Sequence, residues 1–131
     1  MKKIVKRVII TYYTLDKLRG SAVKRGDKLL TNDNINDIKN KIVEKFHPEK
    51  IYLFGSYANG TATEESDLDI AVILNNSINK LDNIRGIRNL LRDINNPIDI
   101  IVYNNNEFND KVKKKYSFET TIVNDGILMY E

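Results

Sequence analysis

Cysteine and tryptophan are missing from this 131-residue chain, histidine occurs once and proline twice. Without a thiol there is no cysteine nucleophile, no thiolate zinc site and no disulfide scaffold. A single imidazole, His47, leaves a histidine-rich metal centre and a Ser-His-Asp hydrolase without their parts. Long apolar runs are lacking too: none approaches the roughly 20 residues of a membrane span. The basic start, Met1-Lys2-Lys3, is not followed by the apolar block and small-residue cleavage site of a secretory signal. A cytoplasmic protein with no membrane contact is expected. Its chemistry must come from carboxylates, hydroxyls and backbone.

What is present fits one soluble domain, with 41% hydrophobic and 30% charged residues. A chain of this size buries roughly two-thirds of the surface its unfolded form exposes, enough for a core without staples. The net charge of +3 is unevenly placed: residues 1–30 carry +7 and residues 31–131 carry −4. This divides the chain into a basic N-terminal extension, 1–30, and a mildly acidic domain, 31–131. The extension has the charge to attract nucleic acid, nucleotide or an acidic partner, and reads equally well as a solubilising tail; nucleic acid is not the favoured partner. Its Ile4, Val8 and Tyr12 lie four apart within a β-branched and aromatic run, so helix and strand are not separable there.

From residue 31 the pattern sharpens. Thr31 to Asn34 supply N-cap chemistry, and Ile35, Ile38, Ile42 and Phe46 follow at helical spacing until Pro48. Residues 50–54 predict a strand broken by Gly55; residues 68–74 predict a second, apolar on both faces, and both belong in the middle of a sheet. Over 78–94, Leu81, Ile84, Ile87, Leu91 and Ile94 form an apolar stripe among Lys80, Arg85, Arg88 and Arg92. A third strand, 98–103, follows Pro97. Helices are predicted over 106–114 and 116–124, the last ended by Gly126. The order α-β-β-α-β-α-α predicts a mixed α/β (α+β) domain, a central sheet flanked by helices.

The anomaly lies in the acids. Asp67 and Asp69 head an otherwise apolar strand, two residues apart, so their side chains leave one face with Cα atoms about 6.6 Å apart. Asp99 interrupts the third strand in the same way, and if the two strands are neighbours it lies about 4.8 Å from the second. Crowded carboxylates raise one another's pKa unless a cation neutralises them. Oxygen ligands without histidine or sulfur select Mg²⁺ or Mn²⁺ over zinc. Upstream, Gly55-Ser56 sits where a strand turns towards a segment, 57–60, able to start a helix. Glycine there lets backbone N–H groups approach an anion, and the serine hydroxyl adds a donor, which makes a phosphate cradle.

The run 53–60, Leu-Phe-Gly-Ser-Tyr-Ala-Asn-Gly, followed by Glu65-Ser66-Asp67-Leu68-Asp69-Ile70, resembles the Gly-Ser-x10-Asp-x-Asp signature of the DNA polymerase β-like nucleotidyltransferases. Residues 97–102 resemble the strand bearing that family's third acid. The chain is most similar to the minimal members that act as antitoxins beside a HEPN-domain ribonuclease toxin, over about 31–131, including the tail 118–131. The resemblance implies the nucleotidyltransferase fold and a two-metal transfer of AMP from ATP to a hydroxyl, a tyrosine's, of the toxin. Asp67, Asp69 and Asp99 would be catalytic and would hold two Mg²⁺. Gly55, Ser56 and Asn59 would bind the nucleotide, with Gly55 and Ser56 on the β and γ phosphates. Asn59 departs from the pattern: the family commonly has Arg there, and Asn brings no charge. Two alternatives stand beside this reading: transfer to a small molecule such as an aminoglycoside or to a nucleic-acid end, and a catalytically silent antitoxin that works by binding.

The remaining polar residues read as structural. His47 suits a helix C-terminus, and Thr63 and Ser66 suit a turn. Lys111, Lys113, Lys114 and Lys115 form a solvated face. The tyrosines are core or interface residues, with Tyr57 a candidate for lining a base pocket.

Overall fold

The computed structural model describes residues 29–75 and 79–131, so the ambiguous stretch around Ile4 and the predicted start of a helix at 78 lie outside the described residues. Helix α1 (Asn32–Phe46) opens on a reciprocal cap: the Asn34 N–H donates to Thr31 Oγ1 at 3.1 Å and the Thr31 N–H donates to Asn34 Oδ1 at 3.0 Å. It closes at His47, which takes a left-handed conformation (φ 47°) and donates its N–H to Val43 O at 3.0 Å. Then come β1 (Lys50–Phe54), α2 (Ser56–Asn59), β2 (Leu68–Leu74), α3 (Lys80–Leu90), β3 (Ile98–Asn104), α4 (Asn105–Val112), α5 (Phe118–Asp125) and β4 (Ile127–Tyr130).

The mixed α+β domain expected from the sequence is what forms. Its four-stranded sheet has the order β3-β2-β1-β4, with β1 and β2 inside as anticipated. β1 runs antiparallel to β2 and to β4, whereas β2 and β3 are parallel, joined across α3. The strand order adds β4, an edge partner for β1.

Period-2 alternation along the strands sorts the core into two layers. Leu68, Ile70, Val72 and Leu74 of β2 join Ile51 and Leu53 of β1 and Ile100 and Val102 of β3 beneath α1 and α3. The opposite face carries Tyr52, Ala71, Ile73, Tyr103 and Leu128 under Phe108 of α4 and Ile122 of α5. Leu30 also packs into the first layer, its N–H donating to the Tyr57 hydroxyl at 3.2 Å.

Three expectations change. Tyr57 is 2% exposed and belongs to the core, so it lines no base pocket. Leu81 is 65% exposed, because the apolar contact of α3 with the core begins one turn later, at Ile84. Tyr116 is neither helical nor buried. It sits in a turn at φ 66° and is 87% exposed, because Ser117 starts α5 by accepting the Thr120 N–H on Oγ at 3.0 Å.

The layering makes Ile70, fully buried in β2, a sensitive point. Ile70→Ala should cost about 2–5 kcal/mol in urea denaturation. Leu81→Ala should stay within about 0.5 kcal/mol of wild type.

Candidate active site

One row of side chains is missing from the second apolar layer. On β2 that layer holds Ala71 and Ile73, and the next position on the same face is Asp69. Parallel pairing sets Asp69 opposite Asp99, and antiparallel pairing sets it opposite Phe54. Phe54, Asp69 and Asp99 therefore stand side by side across three strands, where the sheet emerges from under its helices. Asp69 is half-buried and Asp99 exposed. Asp67 is exposed in the approach to β2, just beyond a turn in which Thr63 N–H donates to Ser66 Oγ at 2.8 Å and Ser66 N–H to Thr63 O at 3.0 Å. The Leu68 N–H donates to Pro97 O at 2.9 Å, which ties the start of β2 to β3.

Gly55 meets this row from the other side. Its backbone lies at φ 75°, ψ −155°, a region that side chains disfavour. A Cβ added there would collide with Asp69 Oδ2 and come within 3.1 Å of Asp69 Cγ. The carboxylate thus rests against the Gly55 Cα, and the bend is glycine for two independent reasons. Ser56, half-buried, is the first residue of α2, and Asn59, exposed, is its last. Asn59 Oδ1 accepts the Thr61 N–H at 3.1 Å, so the residue that departs from the family pattern serves the turn after α2.

Burial, then the charge of Asp99, then that of Asp67, push the Asp69 carboxyl up from 3.8 to about 6. Asp67, Asp69 and Asp99 are therefore electrostatic neighbours. They are not drawn into a ready ligand shell: among the described residues no three His, Cys, Asp or Glu side chains form a cluster that could hold a metal ion. Their chemistry fits Mg²⁺ or Mn²⁺, since all are acceptor-only oxygens carrying more negative charge than the site relieves.

Between Gly55 and α5 the structure also holds a cavity of about 270 Å³, walled in part by Phe54, Asn59, Phe118, Thr121 and Asp125. Phe54 and Phe118 meet edge to face with ring centroids 5.6 Å apart. No local pattern marks Phe118, Thr121 and Asp125 as its wall, because the cavity exists only once α5 has packed beside β1. Among the described residues no helix is long and apolar enough to cross a membrane.

Two outcomes follow from this geometry. Gly55→Ala should destabilise the fold by at least about 1 kcal/mol, and a double-mutant cycle with Asp69→Ala should show coupling of about 0.5–3 kcal/mol, because removing the carboxylate removes the collision but not the backbone strain. Since Asp69 binds its proton more tightly folded than unfolded, the metal-free protein should lose stability as pH rises from about 4 to about 7. Asp69→Asn should abolish that loss, worth on the order of 1 kcal/mol once solvent screening is allowed for, in melting curves taken with EDTA across that range.

Comparison with known proteins gives the family. Residues 36–131 match the family described as Polymerase beta, Nucleotidyltransferase. A "putative protein adenylyltransferase" of Methanocaldococcus jannaschii is 32% identical over 96 residues, covering 73% of this chain and 90% of that protein. A second of the same name and organism is 35% identical over 74 residues, covering 54% of this chain and 80% of its own. A crystal structure described as a "putative nucleotidyltransferase" from Sulfolobus solfataricus aligns with a TM-score of 0.49 at 21% identity, covering 94% of this chain and 85% of that one. The Gly-Ser bend, the paired acids and the family match lead to one conclusion: this chain belongs to the polymerase β-type nucleotidyltransferases.

Proposed function

We propose that the protein transfers AMP from ATP to a tyrosine hydroxyl of a HEPN-domain ribonuclease toxin and thereby acts as its antitoxin. The observation that carries the transfer is the Asp69 carboxylate held between the Gly55 Cα and the paired Asp99. It puts a surplus of negative charge beside a glycine bend where phosphates can approach. The protein acceptor is supported by the names of the relatives, and the toxin by the resemblance of residues 31–131, the tail 118–131 included, to antitoxins of that type.

In this reading Gly55 and Ser56 hold the β and γ phosphates through backbone N–H groups and the serine hydroxyl. Asp67, Asp69 and Asp99 hold Mg²⁺, which when bound neutralises phosphate charge and makes the acceptor hydroxyl more acidic. Asp99, the exposed member of the pair, receives the hydroxyl proton. The acceptor oxygen forms a bond to the α-phosphorus, the bond from that phosphorus to the bridging oxygen breaks, and pyrophosphate leaves with the electron pair. Beyond that proton transfer, catalysis in this reading is positioning and charge neutralisation, with no covalent enzyme intermediate.

A second reading, neutralisation by binding alone, is favoured by Asn59. It supplies no cation at its position and its side-chain oxygen is committed to Thr61.

The test is incubation with ATP, Mg²⁺ and a partner HEPN protein carrying an Arg-x4-6-His motif. The partner should gain the mass of one AMP on tyrosine and lose ribonuclease activity. Asp67→Ala should slow the gain at least about a hundredfold, and EDTA should stop it. Mg²⁺ with ATP should raise the melting temperature of wild type and not of Asp69→Asn. Full neutralisation by an Asp67→Ala/Asp69→Ala double variant, with no mass gain in wild type, would decide for binding alone.

A further inference from the structure

We infer that the exposed face of α3 bearing Leu81, Arg85 and Arg88, continued by Arg92 and a groove beside β3, docks an acidic amphipathic helix of the protein that accepts AMP. This rests on the reading that the acceptor is a protein.

Leu81, Arg85 and Arg88 recur at i, i+4 and i+7, so they stand on one face of α3, about 10 Å from first to last. Arg92 follows in the turn that closes the helix, where its N–H donates to Asn89 O at 3.3 Å. All four residues are exposed. Lysines nearby are paired: Lys80 and Lys111 share Glu107, at 3.2 and 3.7 Å, and Lys113 reaches Asp110 at 4.0 Å. Among the described residues no acid pairs with Arg85, Arg88 or Arg92. Three guanidinium groups thus stand in a row, unneutralised, on a domain whose net charge is −4.

Apolar surface flanks the charges at both ends. Leu81 is 65% exposed in the first turn of α3. At the far end Arg88 and Arg92 wall a groove of about 160 Å³ whose apolar floor is Leu91, Ile94, Ile98 and Ile100. An apolar cavity of roughly 150 Å³ holds a benzene ring, so the groove takes one large apolar side chain. A knob, three cations and a hole in sequence are complementary to a helix that repeats carboxylates at the same spacing and carries an apolar residue beyond them.

The same surface discriminates among occupants. Guanidinium forks pair bidentately with carboxylates. They pair with phosphates too, but a nucleic-acid backbone makes no use of Leu81 or the groove, and the exposed Asp82 and Asp93 beside the row repel a continuous line of phosphates. Residues 1–30, at +7, carry the wrong sign to be the occupant. Position favours a substrate protein. Because β2 and β3 are parallel, α3 returns the chain to the start of β3, where Asp99 stands. Ile98 and Ile100 of the groove flank Asp99 in the strand and point to the other face, so a protein seated there lies at the acidic end of the sheet.

The partner HEPN protein is the probe. Arg88→Glu/Arg92→Glu should weaken its binding at least about tenfold in calorimetric titration and raise its KM in AMP transfer, with kcat, ATP binding and melting temperature unchanged. Leu81→Ser should weaken binding at least about threefold. Arg88→Lys/Arg92→Lys, treated with a carbodiimide in the complex, should give amide links from positions 88 and 92 to Asp or Glu side chains of one partner helix, read by mass spectrometry. Undiminished binding by the folded charge-reversal variant overturns the inference and leaves protein adenylylation standing. Links to a second copy of this chain, or none to a bound partner, overturn it as well. So does binding of a single-stranded RNA oligonucleotide that displaces the partner from wild type and is lost in the charge-reversal variant. Failure of wild type to bind or modify the partner removes the protein-acceptor reading and this inference with it.

Discussion

A carboxylate pressed between a glycine and a second carboxylate is the constraint on which the rest of the structure turns. Asp69 cannot move towards β1, because the Gly55 Cα is there, and on β3 its register partner is Asp99. Parallel pairing of β2 with β3 fixes that partnership, so a slip of one residue would send every side chain of β3 to the other face and break the acidic row. The apolar rows behind it, from Ala71 and Ile73 across to Tyr103, give the sheet a reason to hold its register against the repulsion at its end. Stability and chemistry thus occupy successive rows of one surface.

The repulsion has a direction. Burial and two like charges give the Asp69 carboxyl a higher proton affinity than an ordinary aspartate. A divalent cation bound there would compete with that proton for the same oxygens. The glycine bend completes the arrangement by leaving to the Asp69 carboxylate the space that a side chain at 55 would take.

Much of this was legible in the amino-acid order. The bounds of β1 and β2 coincide with the predicted 50–54 and 68–74, because largely apolar runs, one ended by Gly55 and the other preceded by a Thr63–Ser66 turn, leave little choice. That Asp69 shares the face of Ala71 and Ile73 follows from strand geometry alone, whereas Asp67, expected at the head of the strand, precedes β2, and the partnership with Asp99 was conditional on β2 and β3 being neighbours. What stayed hidden depends on distant contacts. Residues 127–130 become a strand only by pairing with β1, far away in the chain. Tyr57 reads as a site residue from its place in the motif, yet its hydroxyl meets the Leu30 backbone in the core. The Phe118 wall appears only when α5 docks. Tyr116 was lost to a cap, since Ser117 takes the helix start and leaves its neighbour in a left-handed turn.

Among the described residues β3 forms one margin of the sheet. Such a margin exposes unpaired backbone groups that invite strands from other molecules, and a charged residue there makes that association unfavourable. Asp99 is exposed at the second position of β3. A neutral replacement would therefore remove a guard against intermolecular stacking along with an acid of the candidate site, and loss of solubility would then imitate loss of activity.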